Sequence, residues 1–191
     1  MDKALLPVAG TPSYARVARA LSAIADDVWV VRREDQSAIA TDGYVAGVLF
    51  DLRPGAGPLA GLESGLTHMR HDWGFVLPAD APLVRHSLLR LLVAACDRLP
   101  AASPVRAIIL RQGDRVYPLL GLYHRAALAV VKQALDQGRR RVMDLLENMP
   151  VRYLPEAEWR AGDPEGVSLL MMNTEAEYQE VCDRLLGGLE E

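Results

Sequence analysis

Residues 51–84 read DLRPGAGPLAGLESGLTHMRHDWGFVLPADAPLV, and this stretch decides the fold. Its first half predicts a turn rich in glycine and proline that leads from a strand into a helix. Its second half predicts a buried strand at residues 73–77, followed by the acidic turn PADAP at residues 78–82. A helix N-terminus and an aspartate thus both follow the C-terminal ends of strands, where open α/β sheets bind their ligands. This arrangement is typical of a site for a metal-bound polyphosphate.

Strand and helix patterns alternate outward from this stretch in both directions. Strands are predicted at residues 27–31, 44–50, 105–110, 116–120, 151–154 and 168–172. Helices are predicted to begin at Pro12 and to span residues 34–41, 59–69, 85–99, 124–137 and 142–147, with a last helix after the capping box TEAE at residues 174–177. The alternation predicts one α/β domain over residues 1–191 with a mostly parallel sheet, to which an antiparallel hairpin near residues 105–120 is added.

The composition indicates a soluble globular protein of the cytoplasm. The 191 residues are 50% hydrophobic and 24% charged, and the formal net charge of −4 argues against nucleic acid or an anionic membrane surface as partner. No apolar run approaches the roughly 18–20 residues of a membrane span. Cys96 and Cys182 are predicted to be reduced core residues, which agrees with a cytosolic setting. The only lysines are Lys3 and Lys132, so any lysine chemistry depends on these two.

Asp80 is the strongest candidate for metal binding. It follows a strand that is hydrophobic throughout and lies in a turn bounded by two prolines, so we expect its carboxylate to be held at the sheet edge. Hard oxygen ligands of this kind hold Mg²⁺, which usually takes one or two carboxylates together with substrate phosphates. The alternative is an aspartate that only caps the next helix, and the residue pattern alone leaves both interpretations open.

The glycines of the segment GPLAGL, at residues 57–62, form a second candidate site. Gly57 and Gly61 let the backbone approach a ligand closely, and the helix that begins near Leu59 offers unpaired N–H groups. Asp51, just before this turn, is a candidate contact for the base or for the metal. The alternative is a tight connection between strand and helix in which Asp51 only caps the turn.

Two basic features complete the candidates. Lys3 stands beside Asp2 near the start of the sequence, and the cluster Arg139-Arg140-Arg141 offers a site for an anionic ligand. The alternative for Lys3 is a solvated terminus, and for the arginines a solvated helix start. No set of nucleophile and base stands out, and the aromatic residues, at 6%, give no stacking platform for nucleic acid.

The order of the motifs carries a resemblance to a known family. The motifs are DKALL at residues 2–6, Gly10-Thr11-Pro12, GPLAGL at 57–62, PADAP at 78–82, YPLLGLY at 117–123, GRRRV at 138–142 and Asn173-Thr174-Glu175. In this order and spacing the chain resembles the molybdenum cofactor guanylyltransferase family, the MobA type, over essentially its whole length. Related cytidylyltransferases of the same fold carry a serine-containing segment where this chain has GPLAG.

The resemblance implies a fold, an activity and partners. The implied fold is the Rossmann-like, three-layer nucleotidyltransferase fold of the nucleotide-diphospho-sugar type. The implied enzyme transfers GMP from GTP to the terminal phosphate of molybdopterin in molybdenum cofactor biosynthesis, with Mg²⁺ required and pyrophosphate released. GTP and molybdopterin are therefore the expected small-molecule substrates, and proteins that assemble or receive the cofactor are candidate partners. Neither nucleic acid nor a membrane is an expected partner.

The resemblance also assigns roles to residues of this sequence. Asp80 matches the family's metal-binding aspartate, and Lys3 matches the lysine that steadies the triphosphate, so both are expected to be catalytic and to bind the nucleotide. Asp51 matches an acidic residue near the bound nucleotide. Gly57 and Gly61 fall where the family's segment lines the nucleotide pocket.

Two further positions match later family motifs, and one part of the pattern differs. Arg140 and Asn173 fall in regions that the family associates with the acceptor and with closure of the site. The family opens with a strand and a glycine-rich loop, LAGGxxxRMGG, and Met1 stands where that loop should end. We therefore expect a fold that lacks the first strand and this loop.

These observations leave three hypotheses about function. The first is a working guanylyltransferase whose true start lies upstream of Met1, because all later motifs are in register. The second is a degenerate, non-catalytic relative that binds a nucleotide or molybdopterin during cofactor assembly. The third is the same fold with another nucleotide or acceptor, such as CTP in place of GTP.

Overall fold

The computed structural model describes residues 2–41 and 43–187. The strands in these ranges are β1 (Pro7–Val8), β2 (Thr11–Pro12), β3 (Trp29–Arg32), β4 (Gly47–Phe50), β5 (Trp73–Val76), β6 (Ala107–Gln112), β7 (Arg115–His124) and β8 (Val151–Pro155). The helices are α1 (Ser13–Ser22), α2 (Pro58–His68), α3 (His86–Asp97), α4 (Ala127–Asp136), α5 (Val142–Leu146), α6 (Glu156–Trp159) and α7 (Glu175–Gly187). None of these helices combines the length and apolar character that crossing a bilayer requires.

Two predictions extend beyond these ranges. The predicted domain of residues 1–191 includes residues 1, 42 and 188–191, so it stays a prediction. The interpretation of Met1 as the end of a glycine-rich loop likewise lies outside the described residues.

The strands pair into three sheets with mixed orientation. β3 and β4 form a parallel pair, and β1 and β2 an antiparallel pair. The largest sheet has the order β5-β7-β6-β8, in which β7 is antiparallel to both of its neighbours and β8 is parallel to β6. The predicted α/β class is confirmed, although the pairing is more mixed than a mostly parallel sheet. The predicted antiparallel hairpin is β6–β7, and the strand predicted at residues 151–154 is β8, at one edge of this sheet.

The buried side chains of β6 alternate between two layers of helices, because successive residues of a strand point to opposite faces of the sheet. Ile108 and Leu110 pack in a cluster that includes the α3 residues Leu88, Leu89 and Leu92. Ala107 and Ile109 pack in a second cluster, together with leucines of α2 and apolar side chains of α4 and α5. The large sheet therefore lies between two helical layers, as the implied three-layer fold requires.

β3 and β5 both line an apolar cavity of about 610 Å³, to which α1 and α2 also contribute. In the part of the chain that the structure describes, β3 pairs only with β4, and β5 only with β7. No described strand pairs with both β3 and β5.

The start of α1 differs from the prediction of a helix that begins at Pro12 with Thr11 as its cap. Thr11 pairs instead with Val8, and the two strands are joined by Ala9 and Gly10, which have φ angles of 47° and 76°. Positive φ at both central residues is the requirement of a type I′ hairpin turn. Because the hairpin uses Thr11 and Pro12, α1 begins at Ser13.

Two predicted elements are wrong for reasons of hydrogen bonding. Residues 34–41 form no helix, because the Gln36 side chain and backbone both bond to Arg33 in a turn. Residues 168–172 form no strand, although their side chains are mostly apolar. The N–H groups of Val167 and Ser168 donate to the buried carboxylate of Asp163, at 3.2 and 2.8 Å, and so hold a short 3-10 turn in place of a sheet pairing.

The capping box at the start of α7 is confirmed. The Thr174 hydroxyl oxygen accepts a bond of 3.2 Å from the Glu177 N–H, and the Glu177 carboxylate accepts one of 2.8 Å from the Thr174 N–H. The same carboxylate accepts the N–H of Asn173 at 2.9 Å. The box therefore fixes the backbone of Asn173, one of the candidate site residues.

Replacing Thr174 with alanine is expected to lower the free energy of unfolding by about 1 kcal/mol, the usual loss for a helix cap. The physical reason is that the Glu177 N–H loses its acceptor. Urea denaturation followed by circular dichroism measures the change. The Thr174→Ser variant keeps the hydroxyl and should unfold close to wild type, whereas equal loss in both variants would contradict the assignment to the cap.

Candidate active site

Lys3 lies between two other predicted site residues. Its Nζ donates a hydrogen bond of 2.8 Å to Asn173 Oδ1 and lies 3.9 Å from Asp80 Oδ2. The side chain of Lys3 is 40% exposed and that of Asp80 is 20% exposed. Both side chains therefore face solvent, where a ligand can reach them. The structure thus brings together three candidates from the start, the middle and the end of the sequence.

The turn that carries Asp80 is held through its backbone. The fully buried Ser13 hydroxyl donates to the Ala79 carbonyl at 2.7 Å, and the Met172 N–H donates to the Asp80 carbonyl at 3.1 Å. Within the described residues, no hydrogen bond reaches the Asp80 carboxylate itself, and its ion-pair contact is Lys3. The backbone of the turn is therefore fixed, while the carboxylate has no hydrogen bond that a ligand would have to replace. The alternative of a simple cap is not supported, because α3 begins at His86 without a side-chain cap.

The N-terminal turn that carries Lys3 is held by Asp2 and Arg32. The Asp2 carboxylate caps a 3-10 turn of residues 3–5 by accepting the Ala4 N–H at 3.3 Å. The same carboxylate forms an ion pair with the guanidinium of Arg32, the last residue of β3, which is 4% exposed. The sequence pattern assigns a role to neither Asp2 nor Arg32.

Asp51 lies immediately after β4, beside α2. Its N–H donates to the Arg32 carbonyl at 3.0 Å, and its Oδ1 lies 3.5 Å from where a Cβ on Gly61 would be. Burial raises the pKa of the Asp51 carboxyl above its ordinary value, Arg33 opposes this shift, and Asp35 adds to it. Gly61 therefore leaves space beside a carboxylate that is partly withdrawn from water.

Replacing Asp51 with asparagine is expected to stabilise the protein at pH 7. A carboxyl whose folded pKa is raised holds its proton more tightly when folded, so its ionised form costs stability above that pKa. The cost disappears as the pH falls below the ordinary aspartate value of about 3.9. Urea midpoints at pH 7 and at low pH should therefore show a gain for Asp51→Asn at pH 7 that shrinks on acidification. A gain independent of pH would exclude this cause.

The loop after Asp51 is anchored to two helices. The Leu52 N–H donates to the buried Ser64 hydroxyl at 3.0 Å. Arg53 Nε lies 3.0 Å from Glu63 Oε2 on α2, and its Nη1 donates to Asp136 on α4 at 2.6 Å. The predicted turn between strand and helix is thus present, and ion pairs fix its path.

Gly57 ends this loop and lies next to the arginine cluster. Its φ of +72° with a ψ of −161° is a conformation that is essentially restricted to glycine. A Cβ there would lie 3.4 Å from the carbonyl oxygen of Arg140, so the two predicted residues are neighbours. The Arg140 side chain itself is exposed. Gly57 precedes the first turn of α2, where Pro58 is the first helical residue and no side-chain cap is present.

The predicted residues thus fall into three sets of neighbours. Lys3, Asp80 and Asn173 form the first, Asp51 and Gly61 the second, and Gly57 and Arg140 the third. Arg32 joins the first two sets, because its side chain bonds to Asp2 and its carbonyl to Asp51. In the sequence, Arg32 is recognisable only as a charged residue at the end of a hydrophobic strand. That pattern does not distinguish an arginine in a buried ion pair from an arginine exposed to solvent.

The residues present fit a single Mg²⁺ ion. The described ranges contain no group of three or more histidine, cysteine, aspartate or glutamate side chains that could hold a metal. A site with Asp80 as its protein carboxylate suits Mg²⁺, which binds through one or two carboxylates and substrate phosphates.

Both cysteines are free thiols of intermediate burial, Cys96 on α3 and Cys182 on α7.

The three-layer α/β fold, with Asp80 after the C-terminal end of β5 and Lys3 beside it, defines a nucleotidyltransferase-type domain. A family model described as MobA-like NTP transferase domain matches residues 1–156. The chain therefore belongs to the MobA-like NTP transferase family. The predicted family, fold class and enzyme class are confirmed.

Relatives and solved structures agree with this assignment. A molybdenum cofactor guanylyltransferase from Pseudomonas paraeruginosa is 32% identical over 94% of this chain and 87% of its own length. One from Desulfosudis oleivorans is 25% identical over 98% of this chain and 89% of its own. The crystal structure of molybdopterin-guanine dinucleotide biosynthesis protein A from Archaeoglobus fulgidus has a TM-score of 0.82 at 24% identity, covering 98% of this chain and 92% of that one. The last similarity bears on the fold alone.

Proposed function

We propose that this protein transfers GMP from GTP to the terminal phosphate of molybdopterin, in molybdenum cofactor biosynthesis. The observation that carries the proposal is the contact of Lys3 with both Asp80 and Asn173, beyond the C-terminal end of β5. A cation beside a free carboxylate is the arrangement that a metal-bound triphosphate requires. The relatives' name, molybdenum cofactor guanylyltransferase, supports a guanylyl group as the one transferred and the molybdenum cofactor as its acceptor.

The reaction is a displacement at the α-phosphorus of GTP. An oxygen of the molybdopterin phosphate forms a bond to that phosphorus, and the bond to the bridging oxygen of the β-phosphate breaks. Pyrophosphate leaves with the electron pair, so no covalent enzyme intermediate is needed. The protein's task is then to orient the reactants and to neutralise developing charge.

Lys3 is the residue that neutralises charge on the triphosphate. Its ammonium group is already oriented by Asn173, so little rearrangement is needed when phosphate binds. Asp80 would hold Mg²⁺, which supplies electrostatic stabilisation of phosphate oxygens when it is bound. Asn173, fixed by the capping box, keeps the lysine amine beside the carboxylate.

The guanine and the acceptor are assigned to the other two sets of residues. Asp51 beside Gly61 offers a carboxylate that can accept hydrogen bonds from the N1 and N2 positions of guanine, groups that cytosine lacks. Gly57 lets the pocket wall approach the nucleotide, and the exposed Arg140 can attract the phosphate of molybdopterin.

We place the reaction in the cytoplasm, a setting that the two free cysteines support. Proteins that receive the cofactor are candidate partners.

The test is turnover of GTP by the purified chain with Mg²⁺ and molybdopterin. The expected result is release of pyrophosphate together with a product whose mass equals molybdopterin plus GMP. CTP in place of GTP should give less product, and omission of Mg²⁺ should give none. Turnover of CTP alone would favour a cytidylyltransferase. Nucleotide binding without any turnover would favour the non-catalytic alternative and overturn the proposal.

A further inference from the structure

Arg32 forms a buried ion pair next to the candidate site without being able to reach a ligand. Its side chain is 4% exposed, and it contacts the Asp2 carboxylate, whose side chain is 17% exposed. An arginine stays charged in proteins, so a buried guanidinium requires its carboxylate partner. Asp2 is thereby held at the end of β3.

The position of Asp2 determines the position of Lys3. The other oxygen of the Asp2 carboxylate accepts the Ala4 N–H at 3.3 Å, and the Asp2 carbonyl accepts the Leu5 N–H at 3.1 Å. These bonds define the 3-10 turn in which Lys3 is the first residue. The turn directs the Lys3 amine to Asn173 and Asp80.

Arg32 also contacts the nucleotide half of the site through its backbone. Its carbonyl accepts the Asp51 N–H at 3.0 Å, at the point where β4 ends. One residue therefore bonds to both halves of the site: the side chain to the turn of Lys3, and the backbone to Asp51. A substitution of the Arg32 side chain removes only its bond to Asp2 and leaves the backbone bond to Asp51 in place. The contribution of the side chain can therefore be tested by mutation.

We propose that Arg32 is a positioning residue that holds Lys3 in its place beside Asp80. The link to GTP turnover rests on the proposed function, but the orientation of Lys3 can be measured without it. Arg32 touches no ligand in this assignment and acts through Asp2. Loss of the guanidinium should release the turn and let the Lys3 amine leave Asn173.

The presence of only two lysines in the sequence makes a direct measurement practical. Competitive acylation with trace acetic anhydride, followed by mass spectrometry, reports the reactivity of each lysine amine. Lys132 is exposed on α4 and serves as an internal reference. In Arg32→Gln, the reactivity of Lys3 relative to Lys132 should rise about tenfold, as loss of a hydrogen bond to a charged group implies. An unchanged ratio overturns the proposal.

Arg152→Gln is the matched control for a general loss of stability. Arg152 is 26% exposed, donates to the Ala95 carbonyl at 2.8 Å and pairs with Glu158 on the far edge of the sheet. Its loss should lower the melting temperature without changing the labelling ratio of Lys3. If Arg152→Gln raises the ratio as much as Arg32→Gln does, the effect is general loosening and the proposal fails.

Kinetics add a second readout. Arg32→Gln should lower kcat/KM for GTP, Arg32→Lys should restore part of it, and Asp2→Asn should resemble Arg32→Gln. The double variant should be no worse than either single variant, because both remove one interaction. Should Arg32→Gln fail to fold, Asp2→Asn and Arg32→Lys carry the same labelling test. Absent GTP turnover in wild type would overturn the proposed function, whereas the labelling ratio would still decide the role of Arg32.

Discussion

Replacing Asp80 with asparagine is expected to lower the rate of GTP turnover by roughly 10³-fold, the upper range for loss of one electrostatic group that acts on the reacting phosphates. The turn that carries Asp80 is held through two of its backbone carbonyls, and the carboxylate itself accepts no hydrogen bond from described residues, so its removal breaks little structure. The amide keeps the shape of the side chain but loses the charge that Mg²⁺ requires. Steady-state pyrophosphate release over a range of Mg²⁺ concentrations measures the loss.

Asp114→Asn is the control for this change. Asp114 lies in the turn of the β6–β7 hairpin, is fully exposed and is 3.7 Å from Arg111. It should turn over GTP at the wild-type rate and bind Mg²⁺ as wild type does. The melting temperature of Asp80→Asn should stay close to wild type, because the turn is fixed through its backbone. Full activity of Asp80→Asn at low Mg²⁺ would remove Asp80 from the metal site.

Where a local pattern decides the structure, the sequence was sufficient. The position of Asp80 followed from a hydrophobic strand and two prolines, and the capping box of residues 174–177 followed from the spacing of threonine and glutamate. The hairpin β6–β7 followed from a glycine and an aspartate between two apolar runs. These features depend on residues that are close in the sequence, so propensity and hydrogen bonding act together.

Where a distant partner decides the structure, the sequence was insufficient. The run at residues 168–172 has the composition of a strand, but the buried carboxylate of Asp163 takes its N–H groups. The hydrogen bond between Lys3 and Asn173 joins residues 170 positions apart in the sequence, so no local sequence pattern predicts it. The ion pair of Arg32 with Asp2 is equally non-local. The resemblance to a family placed Lys3 in the site, but only the fold shows what holds it there.

The second large effect is expected from Lys3→Met, which should lower kcat by roughly 10²-fold. Methionine keeps most of the length of the side chain but removes the ammonium group that neutralises the triphosphate. Because this charge matters most when negative charge builds up on the leaving pyrophosphate, kcat should fall more than the affinity for GTP. Lys3→Arg keeps a positive charge, but the charge of a guanidinium is spread over a larger group than that of an ammonium. This variant should therefore retain only part of the wild-type rate.

Lys132→Met is a chemically identical change at the other lysine of the sequence, on the exposed face of α4. It should leave kcat and KM at wild-type values, which separates the role of Lys3 from the loss of one unit of net charge. Rapid-quench measurement of a single turnover separates the chemical step from product release. If Lys3→Met raises KM while leaving the single-turnover rate unchanged, Lys3 only binds the ground-state triphosphate. If both remain at wild type, the contact of Lys3 with Asp80 and Asn173 is structural, and the charge that stabilises the transition state must come from another residue.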